Sequence, residues 1–256
     1  MRDIELASGH RMPLLGLGTW ELKGARCTEV VRQALDLGYR HLDTAFMYQN
    51  QPDVGKALRE SGLKRQEVFV TTKIWKDALQ RERVAEQFGE CLELLDTSYV
   101  DLLLIHWPND QIPIQETMAA FNALRDQGSV KSIGVSNFSI AQLTQAQASS
   151  QAPVCVNQVR YHLGHSQEEL RRHHQEHQVA ITAYSPLARG QSADDEVLRD
   201  IGRRHGKTAA QVALRWLVQK QVVAIPKASS KEHLRANQEI FDWELSAQEM
   251  GQLDLR

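Results

Sequence analysis

The stretch VFVTTKIWKDALQRERVAEQFGECLELLDTSYVDLLLIH (68–106) decides the fold. It opens on a compact apolar run, VFVTTK (68–73), and closes on another, VDLLLIH (100–106). Neither shows clean polar alternation, as expected for parallel strands covered on both faces. Between them, RERVAEQFGECLELLD (81–96) repeats apolar residues three and four apart, the spacing of a helix with one buried face. Strand, helix, strand in that order is a βαβ unit, the connection that parallel strands require.

Working outward, the same unit recurs. Strand runs are LLGLG (14–18), HLDTA (41–45), SIGVSN (132–137), VCVNQV (154–159), AITAYS (180–185) and VVAIPK (222–227), making eight with the first two. Helical periodicity fills the gaps: TEVVRQALDLG (28–38), QPDVGKALRESG (51–62), PIQETMAAFNALRDQG (113–128), then helices opening at Ser139 and Ser166, both read as N-caps. Two helices, DEVLRDIGRRHG and TAAQVALRWLVQK, separate the last two strands, and KEHLRANQ and SAQEMGQL follow. Eight alternations, about 30 residues apart, predict an α/β fold, a (β/α)8 TIM barrel with two extra helices. An open doubly wound sheet is the rival. It usually has fewer strands and a G-x-G-x-x-G first turn, which is absent from this sequence. IELASGHRMPLL near the N-terminus reads as a β-hairpin around Ser8-Gly9 that closes the bottom of the barrel.

Composition narrows the function. The 256 residues, with no linker or low-complexity segment, are expected to form one barrel domain, 1–256. Thirty basic against 32 acidic residues give no reason to expect nucleic acid or an anionic membrane. Three widely spaced cysteines fit neither a disulfide framework nor a zinc site, and the N-terminus lacks a signal-type apolar stretch. A soluble, cytoplasmic, metal-free protein is expected.

In such barrels chemistry gathers where the strands end. Those positions hold Asp43 with Tyr48 just after it, Lys73, His106, Ser136-Asn137, Asn157-Gln158, Tyr184-Ser185 and Lys227. Singly, each is an ordinary cap, loop charge or rim residue. Together, an acid, a phenol, an amine and an imidazole on one rim form a proton-donating site for an oxyanion. A phenol with a pKa of about 10 is a poor acid at neutral pH. An ammonium about 4 Å away would favour its ionised form by up to ~4 kcal/mol, a fall in pKa of up to about 3. Asp43 would keep Lys73 charged and offset part of that effect. His106 would orient a carbonyl oxygen.

These residues carry a resemblance. LGLGTW, GYRHLDTAFMYQN, TTKIW, VDLLLIHWP, IGVSNF, NQVRYH, AYSPLARG and IPKASSKEHLRAN occur in order from about residue 12 to 250, and the chain resembles the aldo-keto reductases. It is most similar to their short bacterial branch of 2,5-diketo-D-gluconate and methylglyoxal reductases. The resemblance implies an oxidoreductase that reduces small aldehydes and ketones with NADPH, with Asp43, Tyr48, Lys73 and His106 catalytic and Tyr48 as general acid. It implies a cofactor laid across the barrel mouth. Gly18, Thr19 and Trp20 belong to that contact set with Asp43. Ser136, Asn137 and Gln158 would hold the carboxamide and Tyr184 would stack on the nicotinamide. Ser185 and Leu187 would follow the pyrophosphate, with Lys227, Ser229, Ser230, His233 and Asn237 around the adenosine 2′-phosphate and adenine. Trp20, Met47, Trp75 and Trp107 would line the substrate pocket.

The pattern departs at His233 and Ala236, where many NADPH-preferring members carry arginine and an acid. A neutral histidine is a weaker phosphate partner than a bidentate arginine. Lys227 and Arg235 remain on this segment, so NADPH is expected, with NADH the less favoured alternative. The chain also stops at LDLR, where relatives usually carry a tail over the pocket, which points to an open pocket. A monomer is expected. Gln51 stands where relatives often have glutamate, without a role assigned. HHQEH (173–177) reads as a solvated helix face rather than a metal grip, and Cys155 as an inert core thiol. The alternative function is a regulatory barrel that binds NADPH with little turnover; the complete four-residue set argues against it.

Overall fold

The computed structural model describes residues 2–256. Two short antiparallel strands, β1 (Asp3–Glu5) and β2 (Arg11–Pro13), form the expected hairpin, with Gly9 in the left-handed region at its turn. Ser8 at its tip bonds the Ser132 hydroxyl, 2.8 Å away, near the start of a barrel strand. The hairpin therefore lies across the N-terminal end of the barrel, opposite the rim where the strands finish.

All eight strand runs are present: β3 (Leu17–Gly18), β4 (His41–Asp43), β5 (Phe69–Ile74), β6 (Val100–Ile105), β7 (Val130–Ser136), β8 (Val154–Arg160), β9 (Ala180–Tyr184) and β10 (Val223–Ala224). They pair in parallel in sequence order. The ring closes between the first and last: Gly16 N–H donates to the Ala224 carbonyl at 2.9 Å, and Ala224 N–H to the Leu14 carbonyl at 2.9 Å. Glycines permit close approach on this seam. A Cβ on Gly18 would lie 2.6 Å from the Ile225 carbonyl, and one on Gly16 would strike the His41 ring.

Helices alternate with the strands: α1 (Gly24–Asp36), α2 (Gln51–Glu60), α3 (Arg81–Leu95), α4 (Ile114–Asp126), α5 (Ile140–Ala148) and α6 (Glu168–Glu176). The extra pair is there too. α7 (Glu196–His205) and α8 (Ala209–Gln219) both lie between β9 and β10, and α9 (Lys231–Gln238) and α10 (Ala247–Asp254) both follow β10. Capping boxes start α5, α8 and α10, each a Ser or Thr reciprocally bonded to a Gln or Glu three residues on. Ser139 thus caps as expected. Ser166 does not: the N-cap of α6 is Gln167, whose amide instead donates to the Arg160 carbonyl at 2.9 Å.

The α6 surface is not wholly solvated either. His174 is buried, its Nε2 2.9 Å from the Asn157 amide and its Nδ1 2.6 Å from the Leu170 carbonyl. Neighbouring His173 and His177 stack at 4.1 Å, and among the described residues no group of three or more His, Cys, Asp or Glu could hold a metal ion. Asn157 donates also to the Phe138 carbonyl, so it faces the helix layer and not the barrel mouth. Adjacent strand residues point to opposite faces, so Asn157 and Gln158 cannot both serve the rim. Cys155 is a buried core thiol, as expected.

Two outcomes follow from this packing. Gly55 sits inside α2, where a Cβ would lie 2.6 Å from the Leu95 carbonyl. Helix propensity alone makes Gly→Ala favourable by about 1 kcal/mol. The clash is with backbone, so Gly55→Ala should instead destabilise by about 1–3 kcal/mol, seen as a lower urea midpoint. A raised midpoint would show that the α2–α3 contact yields easily.

The second outcome concerns acid. Burial lowers the pKa of His41 from 6.5 to about 4 and that of His174 likewise to about 4. The unfolded chain binds these two protons first as pH falls, so their contribution is complete above pH 6.5 and is lost toward pH 4. The loss of this contribution alone should lower stability by up to about 2.7 kcal/mol per pH unit inside that window. A urea midpoint unchanged between neutral and mildly acid buffer would contradict this.

Candidate active site

Lys73 points into the barrel mouth from the end of β5. It lies on the inward face with Thr71, which bonds His41, while Thr72 between them turns outward to the Gln51 amide at 2.7 Å. Its ammonium is fully buried and has three partners: Asp43 Oδ1 at 2.6 Å, the Thr44 carbonyl at 2.9 Å and the Tyr48 phenol at 3.2 Å. The other Asp43 oxygen accepts from the Gln158 amide at 2.7 Å. One hydrogen-bonded chain therefore runs from β8 through β4 and β5 to the loop carrying Tyr48.

That loop is fixed from behind. A short 3-10 turn, Phe46–Tyr48, ends in left-handed Gln49 and leads to Asn50, the N-cap residue of α2. The buried Asn50 amide donates to the carbonyls of Thr19 at 2.8 Å and Leu22 at 2.9 Å, and its oxygen accepts from Thr44 at 2.8 Å. These bonds staple the Tyr48 loop to the loop after β3. Asn50 and the Thr44 carbonyl escaped the sequence reading, although Asn at a helix N-cap is a usable signal.

Electrostatics separate the groups. Burial opposes charge on Lys73, but the Asp43 carboxylate and the Tyr48 phenol outweigh it, and its pKa ends above the ordinary value. His106, just past β6, is lowered to about 3 by burial and then by Lys73, so it is a neutral imidazole at pH 7. Its Nδ1 is buried without a partner. Tyr48 corrects the expectation of a lowered phenol. Burial is the largest influence and raises its pKa; Lys73 lowers it but is outweighed. The phenol thus keeps its proton at neutral pH.

The remaining residues frame this cluster. Trp20 meets the Tyr48 ring edge-on at 4.9 Å, and Trp75 meets the His106 ring at 5.2 Å. Five large apolar side chains are exposed among the described residues; three of them, Trp20, Met47 and Trp107, belong to this rim, so it is an apolar wall open to solvent. Ser136 donates to the Gln158 carbonyl at 2.8 Å. Asn137 donates to the His106 carbonyl at 3.0 Å and accepts the Tyr184 hydroxyl at 2.9 Å. Asn137 and Ser185 both adopt left-handed backbone, uncommon outside glycine though less so for asparagine, and such residues cluster at ligand sites.

The segment expected around an adenosine phosphate lies farther along the seam. Thr19 is buried and bonds the Asp43 carbonyl at 2.9 Å, Leu187 is half-buried, and Lys227 is exposed and paired with Glu21 at 2.5 Å. Ser229 accepts from Arg26 through its carbonyl. Ser230 caps α9 by accepting from the His233 N–H at 3.2 Å; the His233 side chain is exposed and Asn237 is buried. The set suits a dinucleotide. Gln158 gives Asp43 its amide N–H and keeps a carbonyl oxygen for another donor, Tyr184 offers an oriented ring, and the far end is cationic.

Gln51 now has a place. It is buried behind β5, bonded to Thr72, with its Oε1 unpartnered. It braces the strand that carries Lys73 from outside the barrel, where a carboxylate would be a buried charge.

Known proteins align with this arrangement. The pattern describing the Aldo/keto reductase family matches residues 14–255. A 9,11-endoperoxide prostaglandin H2 reductase from Trypanosoma cruzi is 41% identical over 255 residues, covering 98% of this chain and 90% of that protein. A glyoxal reductase from Bacillus subtilis is 39% identical, covering 98% and 91%, and a methylglyoxal reductase, DkgA, from Escherichia coli is 35% identical, covering 98% and 91%. A crystal structure of an aldo/keto reductase from Brucella melitensis superposes with a TM-score of 0.94 at 38% identity, covering 98% of both chains.

The buried pair yields a direct expectation. Lys73→Met leaves Asp43 buried without its counter-charge and should destabilise the fold by about 3–5 kcal/mol. Adding Asp43→Asn should recover part of that loss. Urea melts of both variants decide it: a double variant less stable than the single one would contradict a charge-based penalty.

Proposed function

Because the chain belongs to the aldo/keto reductase family, we propose that it is an NADPH-dependent reductase of small aldehydes and ketones, dicarbonyls such as methylglyoxal in particular, with Tyr48 as general acid. The observation that carries this reading is the Tyr48 phenol held 3.2 Å from the buried, Asp43-paired ammonium of Lys73. The family supports the reductase class. The dicarbonyl class rests on the glyoxal and methylglyoxal reductases and on the apolar, solvent-open wall of Trp20, Met47 and Trp107. Diketo sugar acids are a further class that the resemblance admits.

When bound, the nicotinamide cofactor supplies a hydride to the substrate's carbonyl carbon. The chain's own residues do the rest. Ser136, Asn137 and Gln158 would hold its carboxamide, Tyr184 would present a ring to stack on, and Gly18, Thr19, Ser185 and Leu187 would contact it on the way toward Lys227, Ser229, Ser230, His233 and Asn237. Neutral His106 presents a ring nitrogen to the carbonyl oxygen and sets its direction. Tyr48 then donates its proton to that oxygen as negative charge develops there. Lys73 stabilises the phenolate left behind, and Asp43 keeps Lys73 charged through the cycle. Localisation in the cytoplasm and a monomeric state belong to the same proposal; among the described residues no helix is long and apolar enough to cross a membrane.

Tyr48→Phe keeps the ring against Trp20 and removes only the acid. Turnover of methylglyoxal should fall by at least about 100-fold, the scale of a lost general acid. Binding of NADPH, followed by tryptophan fluorescence, should survive. Wild-type turnover by this variant would remove Tyr48 from the proton-donating role. A wild type inert across an aldehyde panel would favour a barrel that binds NADPH without chemistry.

A further inference from the structure

Glu21 occupies an unexpected place. It sits at the tip of the loop after β3 in left-handed backbone, φ 67°, a conformation that costs a glutamate some strain. Its carboxylate reaches across the barrel seam to Lys227, Oε2 to Nζ 2.5 Å, although the two residues stand 206 positions apart. The hydrogen bond from Lys227, its charge, and the charge of Arg189 all draw the Glu21 carboxyl below its ordinary value, so it is an anion at neutral pH. Both partners are solvent-exposed, with 62% and 43% of their side chains accessible. The neighbouring cation, Arg26, is also engaged, with Glu29 at 2.6 Å and with the Ser229 carbonyl. Two cations of the seam that should receive a 2′-phosphate, Lys227 and Arg26, are thus already paired with carboxylates of the chain.

We infer that Glu21 is a specificity-determining residue: its carboxylate competes with the cofactor's 2′-phosphate for Lys227 and so narrows the preference for NADPH over NADH. The inference rests on the dinucleotide reading above. A phosphate arriving at Lys227 must displace Glu21 or share the lysine with it, and either way meets a like charge. A 2′-hydroxyl meets no such opposition. The effect compounds the exposed imidazole of His233 at the same segment, which offers a phosphate less than a guanidinium would.

Isothermal titration of the purified protein with NADP+ and with NAD+ tests this without reference to turnover. Glu21→Gln should tighten NADP+ by at least about threefold at low salt, the scale of an exposed ion pair, and leave NAD+ unchanged. The gain should shrink as salt screens the charges, and it should vanish when Lys227→Met is added. Unchanged or weaker NADP+ binding by Glu21→Gln would overturn the inference, as would an equal gain for NAD+ or a gain that persists without Lys227. A wild type that binds neither dinucleotide would overturn the cofactor reading, and this inference with it.

Discussion

The buried ion pair between Lys73 and Asp43 is the constraint on which the rest of this site depends. Two opposite charges removed from water are costly to bury, and their attraction recovers that cost only with good geometry and further hydrogen bonds. Here the geometry is supplied from several elements: Asp43 accepts from Gln158 as well, and Lys73 donates to the Thr44 carbonyl and the Tyr48 phenol. A well-packed apolar pair would serve stability equally. What the ion pair adds is a fixed positive charge beside a phenol in a water-poor setting. That charge is useful only because the barrel brings the ends of β4, β5 and β8 to one rim.

Around this charge, the groups are arranged for opposite protonation habits. Burial keeps the Tyr48 phenol protonated and the His106 imidazole neutral, while Lys73 remains an ammonium. A protonated phenol, a neutral imidazole and an ammonium therefore coexist within one cluster at pH 7. The loop bearing Tyr48 holds its place through Asn50, whose side-chain hydrogen bonds go to Thr19, Leu22 and Thr44 and to none of these groups. The same separation of roles governs the outer seam, where Glu21 and Lys227 set the charge that a phosphate would meet.

Much of this was legible in the chain itself. The eight compact apolar runs lacked alternation because both faces of each strand are covered, and that pattern needs no tertiary knowledge. Asp43, Lys73 and His106 were readable as rim residues because each closes such a run. Less was legible where the outcome depended on facing. Asn157 and Gln158 looked equivalent, and the pleat sends only Gln158 inward. Ser166 resembled a cap, but the chain enters α6 one residue later, and His174 on that polar helix is buried. The direction of the Tyr48 pKa was misjudged because the depth of burial, which decides it, is a property of the assembled rim. The Glu21–Lys227 contact spans nearly the whole sequence and exists only because the barrel closes.

The most direct measurement is the pH dependence of kcat/KM for methylglyoxal with NADPH, compared between wild type and Lys73→Gln, which keeps a donor but loses the charge. If Tyr48 delivers the proton and Lys73 stabilises its phenolate, activity is lost at alkaline pH as the phenol ionises, and that alkaline limb moves to higher pH in the variant. An alkaline limb at the same pH in both proteins would contradict the account.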